Sequence, residues 1–197
     1  MAEIKSTMDL VMEKLARMDL KDAPDLKDEE LQREGMRLAA EFLRGEIEEL
    51  ATRLEEAEVG LQRILRSGMV QALLRNIVLP RDDEQKAASR RAMDGLLAIA
   101  GGSGDIQAML QDMDNILRRY GEHREQMRGQ LEEAFAQQMS HLEDNLARKT
   151  GMNMKLQPSQ HPKFQEEWQR LIGDLDDQYG RAIEQYKAEI RRRMVGV

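Results

Sequence analysis

Residues 105–135 read DIQAMLQDMDNILRRYGEHREQMRGQLEEAF, and this stretch decides the fold class. Its apolar side chains recur in alternating steps of four and three, the spacing that places them on one face of an α-helix. They are Ile106, Leu110, Met113, Leu117, Tyr120, Met127, Leu131 and Ala134. Arg124 fills one position of the same seam. A stripe this narrow is typical of coiled-coil-like packing, so we predict a long helix that lies lengthwise against others.

The pattern continues towards the C-terminus. The stripe drifts to Phe135, Met139, Leu142 and Leu146, as expected when 3.6 residues per turn slips against a seven-residue repeat. Gly151 ends this helix in our interpretation, and Pro162 suits the first position of the next. The last helix carries one apolar side, formed by Phe164, Trp168, Leu171, Ile172, Leu175, Tyr179, Ile183, Tyr186, Ile190 and Met194.

Towards the N-terminus, the helical pattern runs from Asp28 to Pro80 without an obvious stop. Asp28 suits an N-cap, and the seam includes Leu50 and Leu54. Residues 69–79 are apolar on most faces, which predicts burial on several sides. Gly68 indicates either a kink or a close helix approach. A shorter helix follows, capped by Asp82 or Asp83 and ended by glycines at 101–104.

The first 27 residues form a separate segment in this interpretation. Apolar residues at helical spacing predict one short amphipathic helix, and the stretch around Pro24 reads as a linker. The fold predicted is therefore all-α: an elongated antiparallel helical bundle with coiled-coil-like packing, three long and two shorter helices. The predicted domains are 1–27, an N-terminal helix and linker that act as a docking arm, and 28–197, a single elongated helical bundle.

Composition argues against several classes of function. The net charge of −7 and the few aromatic residues disfavour nucleic-acid binding. No stretch approaches the ~18–20 apolar residues that span a bilayer, so no membrane partner is expected. Cysteine is absent, which excludes disulfides and thiolate chemistry. The N-terminus does not read as a secretory signal, and we expect a cytoplasmic protein.

The residues that most often bind metals or phosphates form no recognisable site. His123, His141 and His161 lack the Glu-x-x-His spacing of bundle metal sites, so solvated or capping roles are favoured. The 14 methionines mostly occupy seam positions, where packing explains them, although Met152 and Met154 lie in a predicted loop. The glycines at 101–104 precede no Walker lysine. We therefore predict no catalytic, cofactor-binding or metal-binding residues and no cofactor.

Glycines inside the predicted helices leave two interpretations open. Each glycine should lower the stability of its helix by about 1 kcal/mol relative to Ala. Close helix packing is one account, and a bendable rod is the other. The residues concerned are Gly35, Gly45, Gly60, Gly121, Gly129, Gly173 and Gly180.

The opening MAEIKSTMDLVME, residues 1–13, resembles the start of a group of uncharacterised bacterial all-helical proteins of unknown function. The resemblance extends to the opening of the last helix, 162–168. It implies an all-helical fold and no particular activity.

The sequence favours a non-enzymatic structural or protein-interaction protein, a scaffold or adaptor. We expect a homo-oligomer that forms through the narrow helical seams and the N-terminal helix, with another protein as the second candidate partner. The alternative is a small-ligand- or metal-binding helical bundle, with a pocket near 69–79 or in the 152–161 loop.

Overall fold

A computed structural model describes residues 26–150 and 157–196, with side chains of residue 26 and of 141–150 left out of the description. Throughout that part of the chain the regular structure is helical, which confirms the all-α prediction. The helices are α1 (Leu26–Arg44), α2 (Leu50–Glu55), α3 (Gln62–Arg75), α4 (Asp83–Ile99), α5 (Gly104–Thr150) and α6 (Pro162–Val195), with a 3-10 turn at Pro158–Gln160.

The chain divides into two compact units, which meet in sequence between Ala72 and Leu73. The predicted docking arm at 1–27 falls almost wholly outside the described residues. The predicted domain organisation, 1–27 and 28–197, therefore stays a prediction.

The continuous helix predicted from 28 to 79 is wrong, because the chain stops being helical after Arg44. Gly45 takes a left-handed conformation with φ 81°. Its N–H donates to the Phe42 carbonyl at 3.0 Å, and the Glu46 N–H donates to the Glu41 carbonyl at 2.9 Å. This pair of bonds is a Schellman motif, which ends a helix where glycine can adopt positive φ. The predicted rod is therefore three helices joined by turns.

Two of these helices, α1 and α3, touch at glycines in the N-terminal unit. A Cβ built on Gly35 would overlap the carbonyl oxygen of Leu65, and one built on Gly68 would overlap that of Gln32. Beside this contact the Gln32 side chain donates to Gln71 at 3.0 Å. Gly68 therefore marks a close helix approach, one of the two roles predicted for it.

In the C-terminal unit, a buried hydroxyl organises the loop before α4. Ser89 is 1% exposed. Its Oγ accepts from the Val78 N–H at 3.2 Å and lies 3.3 Å from the Asn76 and Val78 carbonyls, to one of which it donates. Asp82 then caps α4 by accepting from the Gln85 N–H at 2.8 Å, and it is one of the two caps predicted.

The longest elements, α5 and α6, form an antiparallel hairpin. Contacts along the pair run in opposite directions in the two helices, from Asp112 with Tyr186, through Tyr120 with Asp176, to Phe135 with Phe164. Near one end Arg193 of α6 pairs with Asp105 of α5 at 2.8 Å. Near the other, the Phe135 and Phe164 rings meet edge to face with centroids 5.4 Å apart. The antiparallel arrangement predicted for these two helices is confirmed.

Burial confirms the predicted apolar stripes. Leu50 and Leu54 in the first unit are 0% and 4% exposed, and Leu110 and Leu117 in the second are each 6% exposed. Most of the apolar segment at 69–79 is also buried, at Met69, Val70, Leu73, Leu74 and Ile77. The stripes therefore do what their spacing predicts, which is to remove apolar surface from water.

Candidate functional site

The seam of α5 is covered unevenly along its length. Helix α4 lies against the first part of α5, where Arg90 and Asp114 form an ion pair at 3.6 Å. The first residue of α4, Asp83, lines the same surface cleft as Gly121. Since α4 begins there, α5 continues beyond it with α6 and the 3-10 turn before α6 as its described neighbours. We call residues 122–139 of α5, with the facing turns of α6, the distal hairpin.

Three apolar side chains in the middle of the distal hairpin are only partly covered, although Met139 at its end is buried. Met127, Leu131 and Phe135 are half-buried, whereas the seam residues from Ile106 to Tyr120 are fully buried. Ala134, predicted in the seam, is exposed, and Phe135 replaces it through the predicted drift of the stripe. A single helix packed beside this stripe leaves part of each side chain accessible.

A polar corner lies where the loop before α4 meets the hairpin. The Arg81 N–H donates to the Gln85 side chain at 3.0 Å. The Arg81 carbonyl accepts from Nη1 of Arg124 at 2.8 Å. The guanidinium that interrupts the apolar seam of α5 therefore serves as a clamp on the loop.

One turn before Arg124, Tyr120 joins the two hairpin helices through a short hydrogen bond. Its side chain is 1% exposed, and its hydroxyl donates to Oδ1 of Asp176 at 2.7 Å. Burial, followed by this bond to a carboxylate, raises the pKa of Tyr120 to about 12. The Arg124 and Arg81 charges act in the opposite direction on that pKa. The phenol therefore remains a proton donor at neutral pH.

The next turns of the hairpin carry a second tyrosine contact. The Tyr179 hydroxyl lies 2.8 Å from Nδ1 of His123. The Tyr179 ring also packs edge to face on Tyr120, with centroids 5.6 Å apart. Farther along, the Tyr186 hydroxyl donates to Asp112 at 3.1 Å. All three tyrosines of the chain thus tie α6 to α5.

Two openings flank the polar corner. A cavity of about 290 Å³ is lined by Arg81, Tyr120, Arg124, Trp168, Gln169, Ile172 and Asp176. A wide surface cleft of about 830 Å³ lies on the α4 side and shares Arg81 and Arg124 with it. Acidic and basic side chains alternate around this cleft, so their charges largely offset one another.

The histidines weighed as ligands are used for other contacts. His123 meets Tyr179, and His161 is the N-cap of α6, accepting from the Lys163 N–H at 3.2 Å. The side chain of His141 falls outside the described part. Within residues 27–140 and 157–196, no three His, Asp or Glu side chains gather as a metal site.

The methionines and glycines singled out by the sequence also have structural places. Met109 and Met113 are buried in the seam of α5, in line with the packing interpretation, while Met152 and Met154 lie outside the described residues. Gly101 and Gly102 have φ of 63° and 78° and form the turn after α4.

Sequence reasoning missed the polar corner. The one available signal was a charged residue, Arg124, at a position of an otherwise apolar stripe. Its contact with Arg81 joins residues 43 positions apart, which no local pattern specifies. The Tyr120–Asp176 bond spans 56 positions and was missed for the same reason.

The fold and these contacts define an all-α protein whose second unit is built on a tyrosine-latched antiparallel hairpin. The chain belongs to DUF6657, a family of unknown function that matches residues 51–192. The match confirms the resemblance to an uncharacterised protein group. It includes residues 162–168, whereas the resembling stretch 1–13 lies outside both the match and the described residues.

No curated protein and no solved structure matches the chain. Among the helices described, none has the length and apolar character needed to cross a bilayer.

Proposed function

We propose that this protein is a non-enzymatic structural protein that associates with a second copy of itself through the distal hairpin. One observation carries the proposal: the apolar stripe of α5 continues past the end of α4, so Met127 and Leu131 remain half-buried. Covering such a stripe is favourable at about 25 cal/mol per Å² of apolar surface.

The geometry of the stripe favours a helical partner. Met127, Leu131 and Phe135 follow one another at steps of four, which is the spacing that another helix can meet lengthwise. A seam between two helices buries only the sides that face each other, which leaves Met127 and Leu131 half-buried. A third and fourth helix would complete a bundle of the usual kind.

The charges around the stripe favour a second copy as that partner. In a two-fold interface each surface meets itself, so it must carry both signs of charge. The distal turns of α5 provide both, since Arg128 pairs with Glu132 at 3.0 Å. A uniformly acidic or basic face would repel its own copy.

Sedimentation across a wide concentration range tests the association. The full chain should change from monomer to dimer, and Leu131→Glu should shift the change to at least about tenfold higher concentration, because a buried charge disrupts an apolar contact. Gln107→Glu is the matched control, because it adds the same charge at an exposed position of the same helix, on the part that α4 accompanies. Circular dichroism verifies that each variant is folded.

Cross-linking places the contact. The chain has no cysteine, so a single introduced thiol reports one position. Gln130→Cys should form a disulfide-linked dimer under mild oxidation. Gln107→Cys, exposed on the part of α5 that α4 accompanies, should not. A strict monomer at high concentration would refute self-association, and retention of a different protein in its place would indicate an adaptor.

The absence of catalysis and a cytoplasmic location are parts of the same proposal. The described contacts of tyrosine with histidine or aspartate join α5 to α6. This structural role accounts for these polar side chains without a catalytic one. The chain has no cysteine and so cannot form the disulfides that are typical of proteins in oxidising compartments, which supports a cytoplasmic location.

A further inference from the structure

We infer that the cavity beside the polar corner binds a small organic carboxylate, held by Arg81 and Arg124 against Trp168. The inference is independent of self-association, since the cavity lies within one chain. Three properties of the cavity support it: unused guanidinium donors, a net positive charge and an apolar wall.

The first property is hydrogen-bonding capacity that the protein leaves unused. An arginine side chain carries five N–H groups. For Arg124, one of them is used on the Arg81 carbonyl at 2.8 Å. Its Nη2 donates to no acceptor among the described residues. An acceptor that enters the cavity can therefore form a charge-assisted hydrogen bond with this guanidinium without breaking a bond within the protein.

The second property is the charge of the lining. Neither Arg81 nor Arg124 forms an ion pair in the portion of the chain described, in contrast to Arg128, which pairs with Glu132. Asp176 is the one carboxylate in the lining, and its Oδ1 already accepts the Tyr120 hydroxyl. Two guanidiniums and one carboxylate leave a charge of about +1, which suits a monoanion.

The third property separates an organic carboxylate from an inorganic anion. Trp168 and Ile172 form an apolar wall of the cavity and are themselves half-buried. A planar carboxylate accepts two parallel N–H groups from a guanidinium. The hydrocarbon or aromatic body attached to it would then cover the indole. The cavity volume of about 290 Å³ lies at the small end of ligand pockets, which limits that body to a few atoms or one ring.

The chain offers a direct readout, because Trp168 is its one tryptophan. Titration with benzoate should change the indole fluorescence in a saturable way. Benzamide has the same ring without the charge, and it should bind at least about tenfold more weakly. Inorganic phosphate has charge without an apolar body and should compete poorly.

Two variants test the assigned arginines. Arg81→Gln and Arg124→Gln should each weaken benzoate binding by about tenfold or more, since a charge-assisted bond is replaced by a neutral one. Arg118→Gln is the matched control, because it removes a charge from the same helix outside this cavity. Arg81→Gln retains the backbone carbonyl that anchors Arg124, so it addresses the side chain even if Arg124→Gln unfolds.

Three results would overturn the inference. One is a fluorescence that benzoate leaves unchanged in the folded protein. Another is equal binding of benzamide and benzoate, or preferential binding of phosphate. The third is the same benzoate affinity in Arg81→Gln as in the unaltered chain and in Arg118→Gln.

Discussion

Gly35 of α1 and Gly68 of α3 face each other across a helix contact in which each occupies the space beside the other helix's backbone. A Cβ on Gly35 would overlap the Leu65 carbonyl oxygen and lie 3.1 Å from the Met69 nitrogen. A Cβ on Gly68 would overlap the Gln32 carbonyl oxygen in the same way. Backbone atoms cannot rotate aside as a side chain does, so this contact requires two glycines.

Gly35→Ala and Gly68→Ala are each expected to destabilise the protein by about 1–3 kcal/mol, because the added methyl group pushes two backbones apart. The better helix propensity of Ala, about 1 kcal/mol, offsets only part of that cost. Urea unfolding would measure the change. Gly104→Ala is a control, as a Cβ there meets nothing within 4 Å. Unchanged stability in both variants would show that α1 and α3 do not pack this closely.

Gly173→Ala and Gly121→Ala should have the opposite effect. Both glycines lie inside long helices, and a Cβ at either has no neighbour within 4 Å. Replacement removes the extra backbone freedom of the unfolded chain, so each should stabilise by about 1 kcal/mol. Thermal melting, monitored by circular dichroism, should show a higher midpoint. A lower midpoint for Gly173→Ala would contradict the prediction, because it would mean that the added methyl group collides with a neighbour.

Ser89→Ala should destabilise the C-terminal unit by about 1–3 kcal/mol. The substitution leaves the Val78 N–H without the hydroxyl that accepts it at 3.2 Å, and this bond is partly buried. Ser103→Ala provides the comparison, since the Ser103 hydroxyl makes only a long 3.5 Å contact with Asp105. Equal melting of the two variants would mean that Ser89 does not anchor the loop before α4.

Alkaline pH should weaken the fold through Tyr120. Below about pH 10 the phenol is protonated in both folded and unfolded chains. Between about 10 and 12 only the unfolded chain releases this proton, because burial and the bond to Asp176 raise the folded pKa to about 12. Unfolding free energy should therefore fall as pH rises through this window.

Tyr120→Phe should lower stability at neutral pH and flatten this alkaline decline. Urea unfolding at several alkaline pH values measures the slope, and tyrosinate absorbance follows the ionisation itself. The exposed-face substitution Gln130→Glu should leave the slope unchanged. If the decline in Tyr120→Phe is as steep as in the unaltered chain, another group is responsible.

The seams illustrate what periodicity predicts well. Leu110, Met113 and Leu117 were placed on a buried face because residues at steps of three and four share one side of a helix. They are buried as predicted. The same pattern failed at Gly45, since apolar spacing continues in register across the stop. The helix ends there because the backbone adopts positive φ, which spacing does not encode.

The candidate site was far less accessible to prediction. A charged residue at seam position 124 signalled something unusual, but its acceptor at Arg81 and the cavity wall at Trp168 come from other elements. Likewise, one residue type, glycine, serves as a stop at 45, a contact at 35 and an open position at 173. These roles differ only in what surrounds each glycine.

The amino-acid order alone determined that the chain is helical, where the apolar stripes run, that a helix begins at Asp82 or Asp83, and that another begins at Pro162. Each of these depends on residues within one or two turns of one another. Tertiary structure decided which glycines meet a neighbouring backbone, how far α4 accompanies α5, and that Arg81, Arg124 and Trp168 share a cavity. Those outcomes depend on distances between segments remote in sequence, which are set when the stripes of different helices pack together.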